Sequence, residues 1–288
     1  MPKSPQTLLI LTVALSALCA AFAAGASAGP WIKAPGEAFV KGGLTHYSAE
    51  DSFNQGRDTG MAYTGQTFNV YGEVGLVEGL QAVVDLPVVM GVNTSAAGVR
   101  YTNQSLGDLR LELDGALLPE LPLAIGVETK IPLYTPIGRQ GPGDPAADFP
   151  RSRINFPDPG DGNVDMTLKL LTGLSLHPTP AWVTAELGYR ARFGGFVDGL
   201  TASLGAGWFV WPEHVALGLY GNALVNLGQD ADPALRSTKQ FTYVQAFVLI
   251  TAAPLADDLS LTLSAGAVVQ ADNTSRGTDL GLGVSYAF

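Results

Sequence analysis

The sequence contains very little cysteine and little charge. Of its 288 residues only one is a cysteine, Cys19, and only 15% are charged. Cys19 lies in a segment that we expect to be removed, so the remaining chain has no thiols for a disulfide framework or a thiolate metal site. Basic residues are also scarce, with 16 Lys and Arg against 26 Asp and Glu. Since phosphate binding depends on clusters of Lys and Arg, this composition argues against a nucleic-acid partner.

The N-terminal segment has the layout of a secretory signal peptide. Lys3 precedes an apolar run over 8–24, and small residues follow at 26–28. This is the usual order of charged, hydrophobic and cleavage regions. The sequence therefore predicts a signal peptide over 1–28 and a single exported domain over 29–288. Loss of Lys3 leaves 15 basic and 26 acidic side chains, a net charge of −11.

Long hydrophobic runs are absent after the signal segment, although 47% of the residues are hydrophobic. No stretch there is long enough for a membrane-spanning helix. Apolar and polar residues alternate instead. For example, Leu109, Leu111 and Leu113 alternate with Arg110 and Glu112. A period of two is typical of β-strands with one apolar face, so the exported domain is either a β-sandwich or a transmembrane β-barrel.

The connections between the alternating runs favour the barrel. Short turns of two to five residues alternate with longer connections rich in Gly, Asp, Asn and Pro, which is the layout of outer-membrane barrels. The sequence predicts an all-β fold, a transmembrane antiparallel up-and-down β-barrel of about 12 strands in the outer membrane of a Gram-negative-type bacterium. The predicted strands are 37–48, 65–76, 80–91, 107–118, 121–134, 163–176, 181–193, 199–210, 214–228, 240–253, 259–270 and 278–288.

The sequence ends in an alternating stretch, "GLGVSYAF" (281–288). We interpret it as the strand that closes the barrel, with its apolar face against lipid. Gly283, Tyr286 and Phe288 resemble the C-terminal signal read by the barrel-assembly machinery. The expected partners are therefore this machinery and the outer-membrane lipids.

Three motifs resemble a known family. Leu86-Pro87 ends a tight strand pair, Gly107-Asp108-Leu109 opens the next strand, and Lys130-Ile131-Pro132 precedes a Gly-rich loop. "DPGDGNVDM" (158–166) then opens a further strand. This order resembles the outer-membrane proteins named for the meta-pathway of phenol degradation. The resemblance implies passive uptake of small hydrophobic or aromatic compounds. The residues themselves show no nucleotide-binding loop and no metal-ligand cluster, so we predict no cofactor and no metal.

The polar positions of the strands are expected to face the barrel lumen. They carry charges of both signs, which favours either a polar channel that guides solutes or a salt-bridged plug. The predicted lumen-lining residues are Glu73, Asp85, Arg110, Glu112, Asp114, Glu128, Lys130, Asp165, Lys169, Glu186, Arg190 and Arg192.

One strand leaves its register open. In 240–253, Val244 and Ile250 face lipid in one register, which places Tyr243 and Phe247 in the lumen. The opposite register places both aromatic rings among lipids.

The connection over 135–162 is too long for a simple hairpin and contains six prolines and five glycines. Loops of this size are typically functional or unstructured. Two interpretations stand: a lid or constriction folded into the barrel, and a surface loop that binds nothing. The candidate gating residues are Arg139, Phe149, Arg151, Arg153 and Phe156.

An enzyme is the less favoured alternative. His46 and Ser48 share one strand face, as the base and nucleophile of a hydrolase would, but Asn54 and Asn69 show no marked spacing as a third member. We predict no catalytic residue. The sequence favours a channel, with a sealed structural or receptor barrel as the alternative and a phospholipase-type hydrolase less favoured.

Overall fold

A computed structural model describes residues 30–54, 57–58, 60–118, 121–136, 156–212, 214–228, 240–251, 258–272 and 274–288. Within those ranges the chain forms fourteen β-strands, and no helix there is long and apolar enough to cross a membrane. The strands are β1 (Ala38–Asn54), β2 (Arg57–Asp58), β3 (Ala62–Val77), β4 (Leu80–Thr94), β5 (Arg100–Leu106), β6 (Asp108–Leu118), β7 (Leu123–Pro132), β8 (Asp165–Ser175), β9 (Ala181–Arg192), β10 (Gly199–Trp211), β11 (Val215–Asn226), β12 (Gln240–Thr251), β13 (Leu259–Asp272) and β14 (Ser275–Ala287).

The strands form one closed antiparallel barrel. Each strand from β6 to β14 pairs with the next, β3 lies between β1 and β4, and β1 pairs with β14 from Phe39↔Ala287 to Ser52↔Ser275. β5 and β6 follow one another along β4 and form a single wall strand, while β2 is a two-residue arm on the tip of β1. The wall therefore has twelve strands, which confirms the predicted fold.

The barrel has two unlike ends. We call the end that contains Ala38 and Phe288 the turn end, since the connections there are short, as at 78–79 and 119–122. The opposite end, which we call the loop end, contains the connection over 133–164.

The outer face is an apolar belt. Leu204 and Leu280 are 69% and 67% exposed, whereas their neighbours Ser203 and Asp279 point inward and are 9% and 5% exposed. Successive side chains of a strand point to opposite faces, so an alternating sequence gives the barrel an apolar outer face and a polar inner face. The predicted alternation is thus confirmed as the two faces of a transmembrane wall.

Three segments expected to be loops are largely strand. The predicted connections over 49–64, 92–106 and 271–277 contain the C-terminal part of β1, the whole of β5 and the start of β14. Outward positions such as Thr102 and Gln104 are polar, so the apolar alternation stops while the backbone pairing continues. Hydropathy therefore marked the apolar belt and missed the strand ends beyond it.

Charge in the apolar belt should be costly in proportion to depth. Leu204→Arg, halfway along β10, should lower the free energy of unfolding by about 2–4 kcal/mol, because a guanidinium there faces hydrocarbon. Leu227→Arg, just beyond the end of β11, makes the same change at an exposed Leu near the loop end and should cost about 0–1 kcal/mol. Denaturant titration of protein refolded in lipid vesicles measures both. Equal costs would contradict the placement of the belt.

Candidate functional site

The barrel encloses a cavity of about 660 Å³ between the two ends. Its lining comes from nearly every wall strand, because inward side chains of neighbouring strands stand side by side. The two sides of the lining differ in chemistry. One side, from β4 to β9, is charged, and we call it the charged wall. The other, from β10 to β14, is mostly neutral, and we call it the neutral wall.

The predicted lumen residues are spread over the charged wall and the residues just behind it. Arg110 has an exposed side chain although it lies inside the barrel, since it reaches into the cavity. Glu73, Asp114 and Arg192 are inside the barrel but do not line the cavity. The cavity-lining members of the set are Asp85, Arg110, Glu112, Glu128, Lys130, Asp165, Lys169, Glu186 and Arg190.

Lys169 links the acidic side chains of the charged wall. Glu112 and Glu128 stand directly opposite each other on β6 and β7, an arrangement that repels unless a cation lies between them. Lys169 Nζ supplies this cation, 2.9 Å from Glu112 Oε2 and 2.8 Å from Glu128 Oε2. Glu186 Oε1 lies further away, at 3.9 Å. One ammonium therefore serves three carboxylates, and all four side chains are nearly buried.

A second group of charges holds the chain at the loop end. Lys130 Nζ contacts Asp161 and lies 2.8 Å from Asp165 Oδ2. Arg192 Nε lies 3.1 Å from Asp165 Oδ1, and its Nη2 donates to Asp161. Asn163 donates to Asp165 Oδ1 at 2.9 Å. The Asp161 and Asp165 carboxylates are thus engaged with protein cations and the Asn163 amide, and no metal-binding group of His, Cys, Asp and Glu occurs among the described residues.

Two further predicted residues, Glu73 and Asp114, accept hydrogen bonds from neutral side chains near the turn end. Tyr71 donates its hydroxyl hydrogen to Glu73 Oε1 at 2.6 Å. Gln81 Nε2 donates to Asp114 Oδ2 at 3.1 Å. Gln81 and Asp114 are fully buried, so this hydrogen bond lies behind the cavity lining rather than in it.

The neutral wall contributes hydroxyls, amides and aromatic rings that sequence analysis left out of the site. Tyr243 donates to Asp279 Oδ1 at 3.1 Å and accepts from Gln245 Nε2 at 2.8 Å. This settles the open register of β12: Val244 faces out, and Tyr243 and Phe247 face in. Further residues of this wall that line the cavity are Thr201, Ser203, Tyr220, Asn222, Thr262 and Ser264.

The turn end is filled by residues 30–33, which lie a few residues before β1. Trp31 packs against an inward-facing apolar cluster, which consists of Trp182, Phe209, Ala216, Phe247 and Leu249. Gly173 makes room for it, because a Cβ there would lie 2.7 Å from Pro30 Cγ and 2.8 Å from the Trp31 ring. The Lys33 backbone N–H donates to Gln81 Oε1 at 3.1 Å, and Lys33 Nζ lies 3.3 Å from Glu73 Oε2.

Sequence analysis missed this filling of the turn end. The signal was present as apolar residues in the inward phase of three strands, at Trp182, Phe209 and Leu249. A uniformly polar lumen would not place apolar side chains there. Because all three lie near short turns, the alternation predicted the strands correctly without revealing what the inward rings contact.

The described part of the long connection folds over the loop end. Phe156 packs edge-on against Tyr101 at a centroid distance of 5.5 Å, and Asn103 Nδ2 donates to Pro157 O at 3.0 Å. Tyr134 donates to Asp108 Oδ1 and accepts from the Gly162 N–H. Burial and the Asp108 carboxylate raise the pKa of the Tyr134 hydroxyl well above its usual range. The other candidate gating residues, Arg139, Phe149, Arg151 and Arg153, lie outside the described residues, as does the predicted signal peptide.

Comparison with known proteins places this geometry among membrane barrels. No model of a protein family and no curated protein matches the chain. The solved COG4313 outer membrane channel from Pseudomonas putida F1 superposes with a TM-score of 0.65 at 14% identity, over 91% of this chain and 99% of the channel. The fold is that of an outer-membrane β-barrel. The NalP autotransporter translocator domain from Neisseria meningitidis matches with a TM-score of 0.49 at 12% identity, over 98% of this chain and 96% of that domain. The NanC porin has a TM-score of 0.49 at 10% identity, over 86% of this chain and 98% of the porin.

The hydrolase alternative gains nothing from the geometry. His46 and Ser48 share the outer face, but Asn69 lines the cavity on the other side of the wall. The side chain of Asn54 lies outside the described residues. The residue opposite His46 on β3 is Gln66. Among the described residues no hydrogen bond connects His46 with Ser48, so the pair lacks the contact that activates a nucleophile.

Removal of the shared ammonium should destabilise the barrel strongly. Lys169→Met leaves Glu112, Glu128 and Glu186 without their common partner, and breaking a buried ion pair costs about 3–5 kcal/mol. Lys41→Met makes the same change at an inward lysine that forms no ion pair with the described residues, and should cost much less. Denaturant titration in lipid vesicles measures both.

Two further results check the cause. The loss of unfolding free energy in Lys169→Met should become smaller as the pH falls, because protonation neutralises the three carboxylates. Adding Glu128→Gln should also recover part of it. A deficit that is the same at every pH would contradict a charge effect.

Proposed function

We propose that the protein is an outer-membrane channel for passive uptake of small hydrophobic or aromatic compounds. The observation that carries the proposal is the cavity of about 660 Å³ inside the closed barrel, with a charged wall on one side and aromatic rings on the other. Cavities of this size suit small ligands, and a lining of mixed chemistry suits solutes with a ring and a polar group. The family resemblance of the Leu86-Pro87, Gly107-Asp108-Leu109 and Lys130-Ile131-Pro132 motifs supports the same cargo.

The proposed orientation places the turn end in the periplasm and the loop end outside. Short periplasmic turns and longer outer loops are the rule in such barrels. Tyr286 and Phe288 support recognition by the barrel-assembly machinery, since their stacked rings, 5.7 Å apart, are exposed on the outer face near the turn end. Gly283 lies beside the Lys41 side chain on the inner face, where a Cβ would be 2.8 Å from Lys41 Cε.

Passage through the barrel requires both covers to move. At the turn end the segment 30–33 lies inside the barrel, with Trp31 on the cluster that contains Trp182 and Phe209. At the loop end residues 156–162 lie over Tyr101 and Asn103. We propose that these two segments act as the inner and outer gates, with Phe156 in the outer one. The predicted lumen residues would then line the path between them.

The inner gate gives a direct test of the channel. Trp31→Ala combined with Lys33→Ala removes the ring that packs on the apolar cluster and the ion pair to Glu73. Liposomes containing this variant should swell several-fold faster in nicotinamide, a neutral aromatic solute, than liposomes containing the native protein. Planar-bilayer conductance should rise with it.

Trp211→Ala is the matched control, because Trp211 is exposed on the outer face at the same end and should not change the flux. Native protein should still exceed empty liposomes. If neither the native protein nor the gate variant exceeds empty liposomes, the lumen is sealed, and the structural or receptor barrel replaces the channel.

A further inference from the structure

The cavity has more carboxylates than cations. Among the described residues that line it, seven are acidic and five are basic. The acidic ones are Asp85, Asp108, Glu112, Glu128, Asp161, Asp165 and Glu186, and the basic ones are Lys41, Arg110, Lys130, Lys169 and Arg190. The lining therefore carries a surplus of negative charge when all groups are ionised.

The surplus lies away from the loop end. There the aspartates Asp108, Asp161 and Asp165 are balanced by Lys130, Arg190 and Arg192, which form all the ion pairs of that group. Closer to the turn end, the charged wall has four lining carboxylates and only two lining cations. The four are Asp85, Glu112, Glu128 and Glu186, and the two are Arg110 and Lys169. We call these four carboxylates the acidic patch.

Carboxylate oxygens in and behind this patch have unused acceptor capacity. Glu112 Oε1 and the adjacent Asp114 Oδ1 are buried against each other, and no N–H or ammonium donor of the described residues reaches either atom. Both lean over Gly126, where a Cβ would lie 2.9 Å from Glu112 Oε1 and closer still to Asp114 Oδ1. Among the described residues, Glu186 has one ion pair, the 3.9 Å contact to Lys169, and Asp85 accepts a 3.5 Å hydrogen bond from Asn69 and stands opposite Arg110 on β6. Since a partly paired buried carboxylate is costly, a further positive charge at this wall is favourable.

The neutral wall supplies aromatic surface across the cavity from the patch. Tyr220, Tyr243 and Phe247 line it there. Their rings offer apolar contact to a small organic body, and a ring face also attracts a cation. A guest with one positive group and one apolar or aromatic body therefore matches both walls at once.

Two cations of the lining favour the opposite charge, since neither Lys41 nor Arg110 forms an ion pair among the described residues. Lys41 reaches along Gly283 on the far side of the cavity, and Arg110 extends into the cavity from the charged wall. These two cations do not remove the surplus, because both are included in the count of seven acidic and five basic lining residues, and adding Arg192 from behind the lining still leaves one carboxylate in excess. Lys41 defines the rival ligand, a small aromatic carboxylate bound at its ammonium.

We infer that the cavity selects organic cations, protonated amines with a small aromatic or apolar body. The ammonium binds at the acidic patch, and the body lies against Tyr220, Tyr243 and Phe247. This inference rests on the proposed function for the route by which the amine enters, and it narrows the cargo from aromatic compounds in general to amines. Ionic strength should weaken the binding, because the attraction is electrostatic.

Binding to the purified protein, refolded in detergent, tests the inference without any need for flux. Isothermal titration calorimetry at neutral pH compares benzylammonium, benzyl alcohol and benzoate, which share a ring and differ in charge. Benzylammonium should bind on the order of tenfold more tightly than benzoate. Glu186→Gln and Asp85→Asn should each weaken benzylammonium binding several-fold. Glu50→Gln is the matched control, since Glu50 is exposed on the outside of β1, and it should have no effect.

The opposite results would overturn the inference. Benzoate binding as tightly as benzylammonium, and lost in Lys41→Met, would assign the cavity to anions. Benzylammonium binding that is unchanged in both acidic-patch variants, or absent from the native protein, would also overturn it. These outcomes are distinct from failure of the channel itself, which is read from nicotinamide flux in the liposomes. Anomalous migration of unboiled variants on a denaturing gel shows that each has folded.

Discussion

The closure of β1 on β14 is the constraint on which the structure depends. Hydrocarbon offers no hydrogen-bond partners, so every N–H and C=O of a membrane wall must pair within the wall. Twelve strands satisfy this by joining Phe39–Ser52 to Ser275–Ala287 and leaving no open edge in the apolar belt. The same closure separates the surrounding lipid from the barrel lumen. Because side chains alternate along a strand, each residue then faces one or the other.

Closure also forces the polar residues of neighbouring strands into a narrow interior. Like charges meet there, as at Glu112 and Glu128, and a single lysine holds them together. The charged groups at the loop end tie Asp161 of the long connection to β7 and β9. The interior is thus organised by ion pairs on one side, by hydrogen bonds and rings on the other, and by an inserted Trp31 at the turn end.

Much of the fold and part of the site could be predicted from the sequence. The twelve alternating runs correspond to the twelve wall strands, because alternate residues of each strand face lipid and lumen and therefore differ in polarity. The same alternation placed Arg110, Glu112 and Lys169 inside. It failed for β5, whose outward Thr102 and Gln104 lie beyond the apolar belt, and it left two registers open for β12. Local periodicity carries no information on strand ends in water, nor on which face is inward when both are apolar.

By itself, the sequence determined the fold class, the number of wall strands and the phase of most of them, since these follow from a local contrast between adjacent residues. Only the tertiary structure decided that one ammonium serves Glu112, Glu128 and Glu186. It also decided that Tyr243 and Phe247 face the acidic patch across a cavity, and that residues 30–33 fill the turn end. These contacts join parts of the chain that are far apart in sequence. They depend on the register and curvature of the whole closed sheet, which no local pattern encodes.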